Sequence, residues 1–303
     1  MNGILVIDKP PGLTSHDVVQ RVRRLTHERS VGHLGTLDPM ATGVLPLLLG
    51  KFTRLAQFFS DTEKEYEGTI RFGFATDTYD ADGEPVDSEK PADFSDAELG
   101  AAVTSLTGRI QQMPPPFSAK KIAGVPAYKL ARKGEAPELK SVEVEVAEFK
   151  LWPIPEPSPA ADADSVLHNT HYRTLYNFHA QVGSGTYIRS LAHDLGRKLG
   201  CGAHLASLKR TRSGEFSLDQ AVALDSLTTE SVTAALIDPK AILARLPNVV
   251  LRSDETTRIR HGNATNLPVF SPANLVKVFD DTDLIAIAQR VAGTLFQPKV
   301  VLV

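Results

Sequence analysis

Residues 32–43, which read GHLGTLDPMATG, constrain the fold of this 303-residue chain more than any other stretch. Their three glycines permit backbone angles that other residues avoid, and Pro39 biases Asp38 away from helical angles. The apolar run VLPLLL that follows is typical of a buried strand. The sequence therefore predicts a loop that presents His33 and Asp38 and is anchored by that strand.

The chemical role of Asp38 stays open when residue types alone are considered. A carboxylate in a rigid loop can act as a nucleophile, a general base or a metal ligand, or it can simply form a turn. The Asp-Pro pair favours turn initiation, so residue type by itself favours the structural role. A catalytic role needs support from the rest of the chain.

The apolar pattern predicts many strands with interspersed helices. Predicted strands cover residues 3–8, 44–49, 64–74, 141–151 and 173–182, and predicted helices cover residues 15–25, 53–59, 95–106, 187–199 and 229–237. Ser15 is the predicted cap of the first helix, and Ser95 forms a predicted capping box with Glu98. Strands and helices do not alternate regularly, which favours an α+β fold over a doubly wound sheet.

The character of the sequence changes near Arg245. Residues 248–303 hold several short β-patterned runs, among them residues 275–279, 284–288 and 299–303. We therefore expect one domain over residues 1–245 and a small β-rich domain over residues 246–303. Residues 153–171 contain four prolines and are predicted to be a surface excursion between two strands.

Composition limits the compartment and the kinds of site. The single cysteine, Cys201, excludes an intramolecular disulfide and a cysteine-based zinc site, as in a reducing cytoplasm. The apolar run at the N-terminus is only four residues long before Asp8, too short for a signal peptide, and no run reaches membrane-spanning length. These features predict a cytoplasmic protein with no membrane partner.

Charge is segregated although the net charge is only −3. Residues 109–133 contain six cations and no acid, and residues 189–212 contain six cations and one acid. Phe117, Tyr128 and Tyr187 are interspersed among these cations. Charge runs are often ordinary solvated surface, but two basic segments that carry aromatic residues favour a polyanionic partner.

Several familiar motifs fail on spacing. Gly43 and Gly50 are separated by six residues where a phosphate loop needs four, and Phe52 stands at its Ser/Thr position. Gly183 and Gly185 lack the third glycine of a dinucleotide fingerprint. The polar turn at residues 76–83 lacks the distant glutamate of a calcium loop, and neither a zinc helix nor a serine nucleophile elbow is present.

Residues 32–43 closely resemble the catalytic motif of the TruB family of tRNA pseudouridine(55) synthases. Further matching motifs follow the same order over nearly the whole chain: GILVIDKPPG (3–12), KEY (64–66), TDTYDADG (76–83), SAKK (118–121), GTYIR (185–189) and GCGAHL (200–205). The resemblance implies a pseudouridine-synthase core with a mixed or antiparallel sheet and a C-terminal PUA-like RNA-binding domain.

The resemblance also implies an activity and a partner. It implies that uridine 55 in the T-loop of tRNA is isomerised to pseudouridine, with no metal or organic cofactor. The implied partner is the T-stem-loop of tRNA, with no obligatory protein partner and a monomeric enzyme.

Individual roles follow from the same resemblance. Asp38 matches the nucleophile, Arg189 its charge partner, and Tyr66 the ring that stacks on the target base. His33 matches the residue that contacts the flipped nucleotide or fills its vacated space. The other implied substrate-binding residues are Tyr187, Leu208 in the uracil pocket, the polar pair Asp80 and Arg54, and Lys120, Lys121, Lys129 and Arg132 in an RNA-gripping insertion at about residues 109–134.

Alternative functions can be separated by experiment. A catalytic subunit of a guide-RNA pseudouridylation particle would need a guide, whereas a stand-alone enzyme acts on bare tRNA. An RNA chaperone without chemistry would not need Asp38. A glycosidase would release free uracil or sugar.

Overall fold

The computed structural model describes residues 1–118, 121–122, 125–126, 139–154, 174–268 and 272–303. The chain divides into two compact units. Unit 1 comprises Met1–Asp38, Val44–Ser60 and Glu215–Val303, and unit 2 comprises Pro39–Gly43 and Asp61–Gly214. Both units contain β-sheet with a few helices, in agreement with the predicted α+β class.

Unit 2 is built on an antiparallel sheet whose strands lie in the order β5-β8-β9-β4-β10. These strands are β4 (Lys64–Phe72), β5 (Gly108–Gln112), β8 (Val142–Pro153), β9 (Leu175–Val182) and β10 (Ala203–Ser213). A short hairpin, β6 (Lys121–Ile122) with β7 (Val125–Pro126), stands apart. Thr42 and Gly43 lie parallel to Lys209 and Arg210, beside β10.

Two helices accompany this sheet, α2 (Asp96–Ser105) and α3 (Ile188–Lys198). The predicted capping box of α2 is present, since Ser95 Oγ accepts from the Glu98 amide and the Glu98 carboxylate accepts from the Ser95 amide. Helix α3 packs against β10 through an apolar face that includes Leu191 and Leu195, both fully buried. Its spacing follows the helical period from which the sequence predicted it.

Unit 1 contains the first strands of the chain and its C-terminal part. Its N-terminal elements are β1 (Gly3–Lys9), α1 (Ser15–Thr26), β2 (Val31–His33), β3 (Thr42–Leu49, of which the last six residues belong to this unit) and a 3₁₀ helix (Gly50–Phe58). After unit 2 come β11 (Phe216–Ser217), β12 (Val222–Ala223) and two short 3₁₀ helices (Leu218–Gln220 and Leu224–Ser226). Strand β1 lies between β3 and β12, and β2 pairs antiparallel with β3.

The C-terminal residues form a five-stranded sheet in the order β13-β15-β16-β17-β14. Its elements are β13 (Asn248–Leu251), α4 (Ser253–Arg260), β14 (Thr265–Asn266), β15 (Leu275–Asp280), β16 (Asp283–Ala292) and β17 (Leu295–Val301). Phe279 and Ile287 of this sheet share a hydrophobic cluster with Ile4 and Leu48, so the C-terminal strands pack onto the first strands of the same unit. The division into domains at residue 245 stays a prediction.

Two local predictions are wrong. Ser15 does not cap α1, because Thr14 accepts from the Asp17 amide and Asp17 completes the capping box. Residues 229–237 form turns, with no helix over that range. Strand β10 and helix α4 were not predicted. The excursion predicted at residues 153–171 lies almost wholly outside the described residues.

Candidate active site

A serine hydroxyl holds the backbone of the loop at residues 32–43. Ser15 Oγ accepts from the Leu37 amide at 2.8 Å and donates to the Leu37 carbonyl at 3.1 Å. Both residues are buried, whereas Asp38, which follows Leu37, is half-buried. Ser15 therefore fixes the position of the backbone at Leu37, just before Asp38. The sequence had predicted a different role for Ser15, as the N-cap of α1.

The end of the motif requires glycine at Gly43. Its φ is +97°, in the region that favours glycine. A Cβ built on Gly43 would lie 2.2 Å from the carbonyl oxygen of Arg210. The close approach of this backbone to β10 explains why the motif ends in glycine.

Tyr66 lies in β4, opposite Ala180 in β9 and Arg210 in β10. Tyr66 is 6% exposed, so its ring is almost wholly buried. Gly68, two residues further along the same face, lies opposite Leu208. A Cβ on Gly68 would lie 2.1 Å from the carbonyl oxygen of Ser207, so the two strands can approach here only because this residue is glycine.

Arg189, in the first turn of α3, is buried and holds several acceptors. Its Nη1 lies 3.3 Å from Asp80 Oδ2 and donates to the Thr78 carbonyl at 3.0 Å. Its Nη2 donates to the Phe117 carbonyl at 3.0 Å. The planar guanidinium suits such a set, since its donors are arranged in a rigid fork.

The turn that carries Asp80 is strongly ordered. Thr78 Oγ1 donates to Asp80 Oδ1 at 2.5 Å, and the Asp82 amide donates to the same oxygen at 3.2 Å. Thr76 Oγ1 donates to the Asp80 carbonyl at 2.7 Å. The Ala81 amide donates to the Leu205 carbonyl, which ties the turn to β10. Asp80 thus offers one oxygen to its own turn and the other to Arg189.

Tyr187 is the residue just before α3, and a buried amide grips its backbone. Gln112 Nε2 donates to the Tyr187 carbonyl at 3.0 Å, and Gln112 Oε1 accepts from the Tyr187 amide at 2.8 Å. One turn later, Ser190 Oγ donates to the Met113 carbonyl at 2.7 Å. These two contacts hold the start of α3 against the segment after β5. Sequence reasoning missed Gln112, because the strand that it ends was not predicted and its contact with Tyr187 spans 75 residues.

Of the other predicted residues, two belong to unit 1 and several lie outside the described residues. His33 is half-buried in β2, opposite Leu47. Arg54 is exposed, and its Nη1 donates to the Val301 carbonyl at 2.8 Å. Its predicted association with Asp80 stays a prediction. Lys120, Lys129 and Arg132 lie outside the described residues, and for Lys121 only the backbone strand is described.

A cavity of about 400 Å³ lies in unit 2 and is bordered by Leu208. Its lining includes the side chains of Glu67 and Thr69. Because side chains alternate along a strand, these two lie on the opposite face of β4 from Tyr66. Gly68 and Leu208, which belong to the Tyr66 face, also line the cavity, so its lining does not assign it to one face, and the contact of Leu208 with uracil stays a prediction.

Burial lowers the pKa of a histidine in strand β10 of unit 2. His204 is buried, and its Nδ1 lies 3.1 Å from the Phe74 carbonyl. Desolvation by burial lowers the pKa of His204, so the ring is neutral at neutral pH. Among the described residues, no group of histidine, cysteine and carboxylate side chains could hold a metal ion.

Comparison with known proteins supplies the decisive observation. A model of the TruB family pseudouridylate synthase N-terminal domain matches residues 23–188, which is more than half of the chain. The chain belongs to the TruB family. A model of the tRNA pseudouridylate synthase B C-terminal domain matches residues 189–251 of this TruB-family protein.

Full-length relatives agree with this assignment. The chain is 43% identical to a tRNA pseudouridine synthase B of Solibacter usitatus, over all of both chains. It is 44% identical to that of Thermobifida fusca, over 99% of this chain and 98% of the relative. It is 38% identical to that of Aquifex aeolicus, again over all of both chains. The predicted enzyme class, an isomerase of the pseudouridine synthase family that acts on tRNA, is confirmed.

Solved structures confirm the fold. A chain of a Cbf5-Nop10-Gar1 complex matches with a TM-score of 0.67 and 24% identity, over 99% of this TruB-family chain and 85% of the other. An archaeal box H/ACA Nop10-Cbf5 complex matches with a TM-score of 0.64 and 23% identity. At this identity the likeness concerns the fold alone. In the described part of the chain, no helix has the length and apolar character needed to cross a membrane.

Proposed function

We propose that this chain converts uridine 55 in the T-loop of tRNA to pseudouridine, with Asp38 as the nucleophile. The observation that carries the proposal is the end-to-end similarity to tRNA pseudouridine synthase B proteins. The ordered loop before Asp38 and the buried contacts of Arg189 and Asp80 support it, because catalysis requires groups that are held before the substrate arrives.

The chemistry needs no redox partner. The bond between the ribose and N1 of uracil breaks, the base turns, and a new bond forms through C5. Neither oxidation nor net hydrolysis takes place, so acid, base and covalent catalysis by side chains suffice. An ionised Asp38 supplies covalent catalysis, by attack on the uracil ring or on the sugar carbon.

The remaining roles follow from the family motif. Arg189 keeps the Asp38 carboxylate ionised, since a neighbouring cation favours the charged form. Tyr66 stacks on the base, and Tyr187 borders it. The uridine must leave its stack, at a cost of about a few kcal/mol, and His33 contacts the flipped nucleotide or fills the space it leaves.

Binding relies on phosphate contacts outside the catalytic centre. The basic residues at 109–134 grip the T-stem without reading bases, and affinity falls as salt rises because counterions are released. Residues 246–303 act as a PUA-like RNA-binding domain. The enzyme works as a cytoplasmic monomer and needs no obligatory protein partner.

The test is to map pseudouridine in unmodified tRNA transcripts incubated with purified protein and no guide RNA. We expect modification at position 55 with wild type, none with Asp38→Asn, and equal tRNA affinity for both. Asp93→Asn makes the same carboxylate-to-amide change at an exposed residue outside the proposed RNA-binding segments, so it serves as a matched control and should keep full activity. A transcript with cytidine at position 55 should give no product.

Each alternative predicts another outcome. A guide-dependent subunit would leave the bare transcript unmodified until a guide is added. A pure chaperone would fold tRNA equally well with Asp38→Asn and give no pseudouridine. Wild-type protein that binds the transcript but never modifies it would refute the proposal.

A further inference from the structure

Two aromatic rings stack beside the Arg189 network. The rings of Tyr79 and His193 have centroids 3.7 Å apart and planes inclined by only 12°. Tyr79 stands between Thr78, whose carbonyl accepts from Arg189, and Asp80, whose carboxylate pairs with it. His193 follows Arg189 by four residues in α3. Residues at this spacing lie on the same side of a helix.

Tyr79 adopts a backbone conformation that its side chain does not favour. Its φ is +67°, in the left-handed region where glycine and asparagine are common. The turn holds this conformation through backbone bonds, because the Tyr79 amide donates to Thr76 and its carbonyl accepts from Leu205. At this position the Tyr79 ring also stacks on His193.

His193 meets this turn through its ring face. Within the described residues, its buried Nδ1 has no hydrogen-bond partner. Burial lowers the pKa of His193, so the stacked ring is neutral at neutral pH. Burial also raises the pKa of Tyr79, which keeps the phenol neutral. The two rings therefore join the turn to α3 without charge.

We propose that the Tyr79–His193 stack is a positioning device that sets the orientation of Arg189 for catalysis. The stack fixes the turn and α3 relative to each other, one helical turn from the guanidinium. With the stack intact, the Thr78 carbonyl and the Asp80 carboxylate stay where Nη1 reaches both. This inference rests on the proposed function, because Arg189 is taken to act on the reaction.

Steady-state kinetics on tRNA transcripts tests the inference from both rings. Tyr79→Gly removes one ring while it suits the positive φ, and His193→Ala removes the other. Each should lower kcat about five-fold, the effect of one lost aromatic pair, with the KM for tRNA unchanged. Tyr79→Phe keeps a ring and should recover most of the kcat lost in Tyr79→Gly. Circular dichroism and Tm confirm that each variant is folded.

A double-mutant cycle separates positioning from general destabilisation. Arg189→Lys removes the guanidinium whose orientation the stack is proposed to set. In that background His193→Ala should therefore reduce kcat no further. Losses that multiply in this background, or a kcat that His193→Ala leaves unchanged, would overturn the inference.

A readout that is independent of turnover distinguishes failure of the inference from failure of the proposed function. Rotation of the Arg189 guanidinium, followed by ¹⁵N NMR, should become at least about three-fold faster in His193→Ala than in wild type. Equal rotation rates would contradict the stack's role even if the enzyme is active. A wild-type protein that forms no pseudouridine would contradict the proposed function instead.

Discussion

The buried pair of Arg189 and Asp80 gives the sharpest stability prediction. Asp80→Asn preserves the shape of the side chain and keeps an oxygen to accept from Thr78 and Asp82. It replaces Oδ2, which lies 3.3 Å from Nη1 of Arg189, with an NH2 group. This NH2 group and Nη1 are both hydrogen-bond donors, so they cannot bond to each other. The buried guanidinium then loses the Asp80 carboxylate at Nη1.

The size of the effect follows from burial. Both side chains are 6% exposed, so solvent screens the pair weakly. Removal of one partner from a buried ion pair costs about 3–5 kcal/mol. The lower end applies here, because Arg189 keeps the carbonyls of Thr78 and Phe117. A loss of about 3 kcal/mol lowers Tm by about 5–10 °C, depending on whether the whole chain or unit 2 alone unfolds cooperatively.

The assay pairs thermal unfolding with pseudouridine formation. Glu89→Gln is the matched control, since Glu89 is half exposed and its 3.3 Å ion pair with Arg71 lies at the surface of the same unit. Such pairs contribute about 0–1 kcal/mol, so its Tm should barely change. In a double variant, Asp80→Leu with Arg189→Met, part of the lost stability should return because both charges of this buried pair are gone, while activity should not return.

Two results would refute this reasoning. One is an Asp80→Asn protein that melts within about 1 °C of wild type, since loss of the buried ion pair should lower Tm several times more than that. The other is a double variant that regains both stability and activity, because the guanidinium would then be dispensable for the reaction.

Three further predictions concern single side chains. Ser15→Ala leaves the buried Leu37 amide without its acceptor and should lower the free energy of unfolding by about 1–3 kcal/mol. It should also reduce kcat while tRNA affinity is retained. An unchanged kcat in a folded variant would contradict this prediction. Gly43→Ala places a Cβ 2.2 Å from the Arg210 carbonyl oxygen at a φ of +97°, so we expect little soluble protein on expression. Gly12→Ala, at a glycine with open space around it, is the control and should give more soluble protein. Because burial lowers the pKa of His204, stability is complete above its unfolded pKa of about 6.5 and falls with pH below it, by up to about 1.4 kcal/mol per pH unit. In urea unfolding between pH 7.5 and 5.5, the free energy of unfolding of His204→Gln should depend less on pH than that of wild type. Equal pH dependence in the two proteins would contradict the prediction.

Local signals in the sequence were sufficient for elements with a clear period. Strand β4 alternates buried Tyr66, Ile70 and Phe72 with polar residues, and the Ser95–Glu98 box marks the start of α2. Each signal lies within a few residues of the element it specifies. Such elements can be predicted without knowledge of their neighbours.

Strand β10 could not be predicted in this way. It buries His204 and Arg210, two polar residues that ordinarily indicate a surface segment. The strand is defined by long-range pairing with β4, from which it is separated by more than 130 residues. Residues 229–237 show the converse error, since their apolar spacing suggested a helix but threonine, serine and valine favour it weakly.

The same distinction applies to the candidate site. The family motif led to Asp38, Tyr66 and Arg189, but not to the groups that hold them. Several of those groups are backbone carbonyls, such as that of Phe117, and a carbonyl leaves no mark on the sequence. The local sequence around Ser15 predicts a helix cap and not a contact with Leu37, because that contact spans 22 residues.

Arg189 shows why the supporting contacts matter for the chemistry. Its guanidinium joins the turn that carries Asp80 to the segment after β5, where it donates to the Phe117 carbonyl. The start of α3 is held to that same segment by Gln112 and Ser190. A lysine at this position has a single ammonium and cannot reach these acceptors in the same fixed geometry. Orientation of the guanidinium is therefore a property of three chain segments together, and a change in any one of them should reach the reaction through Arg189.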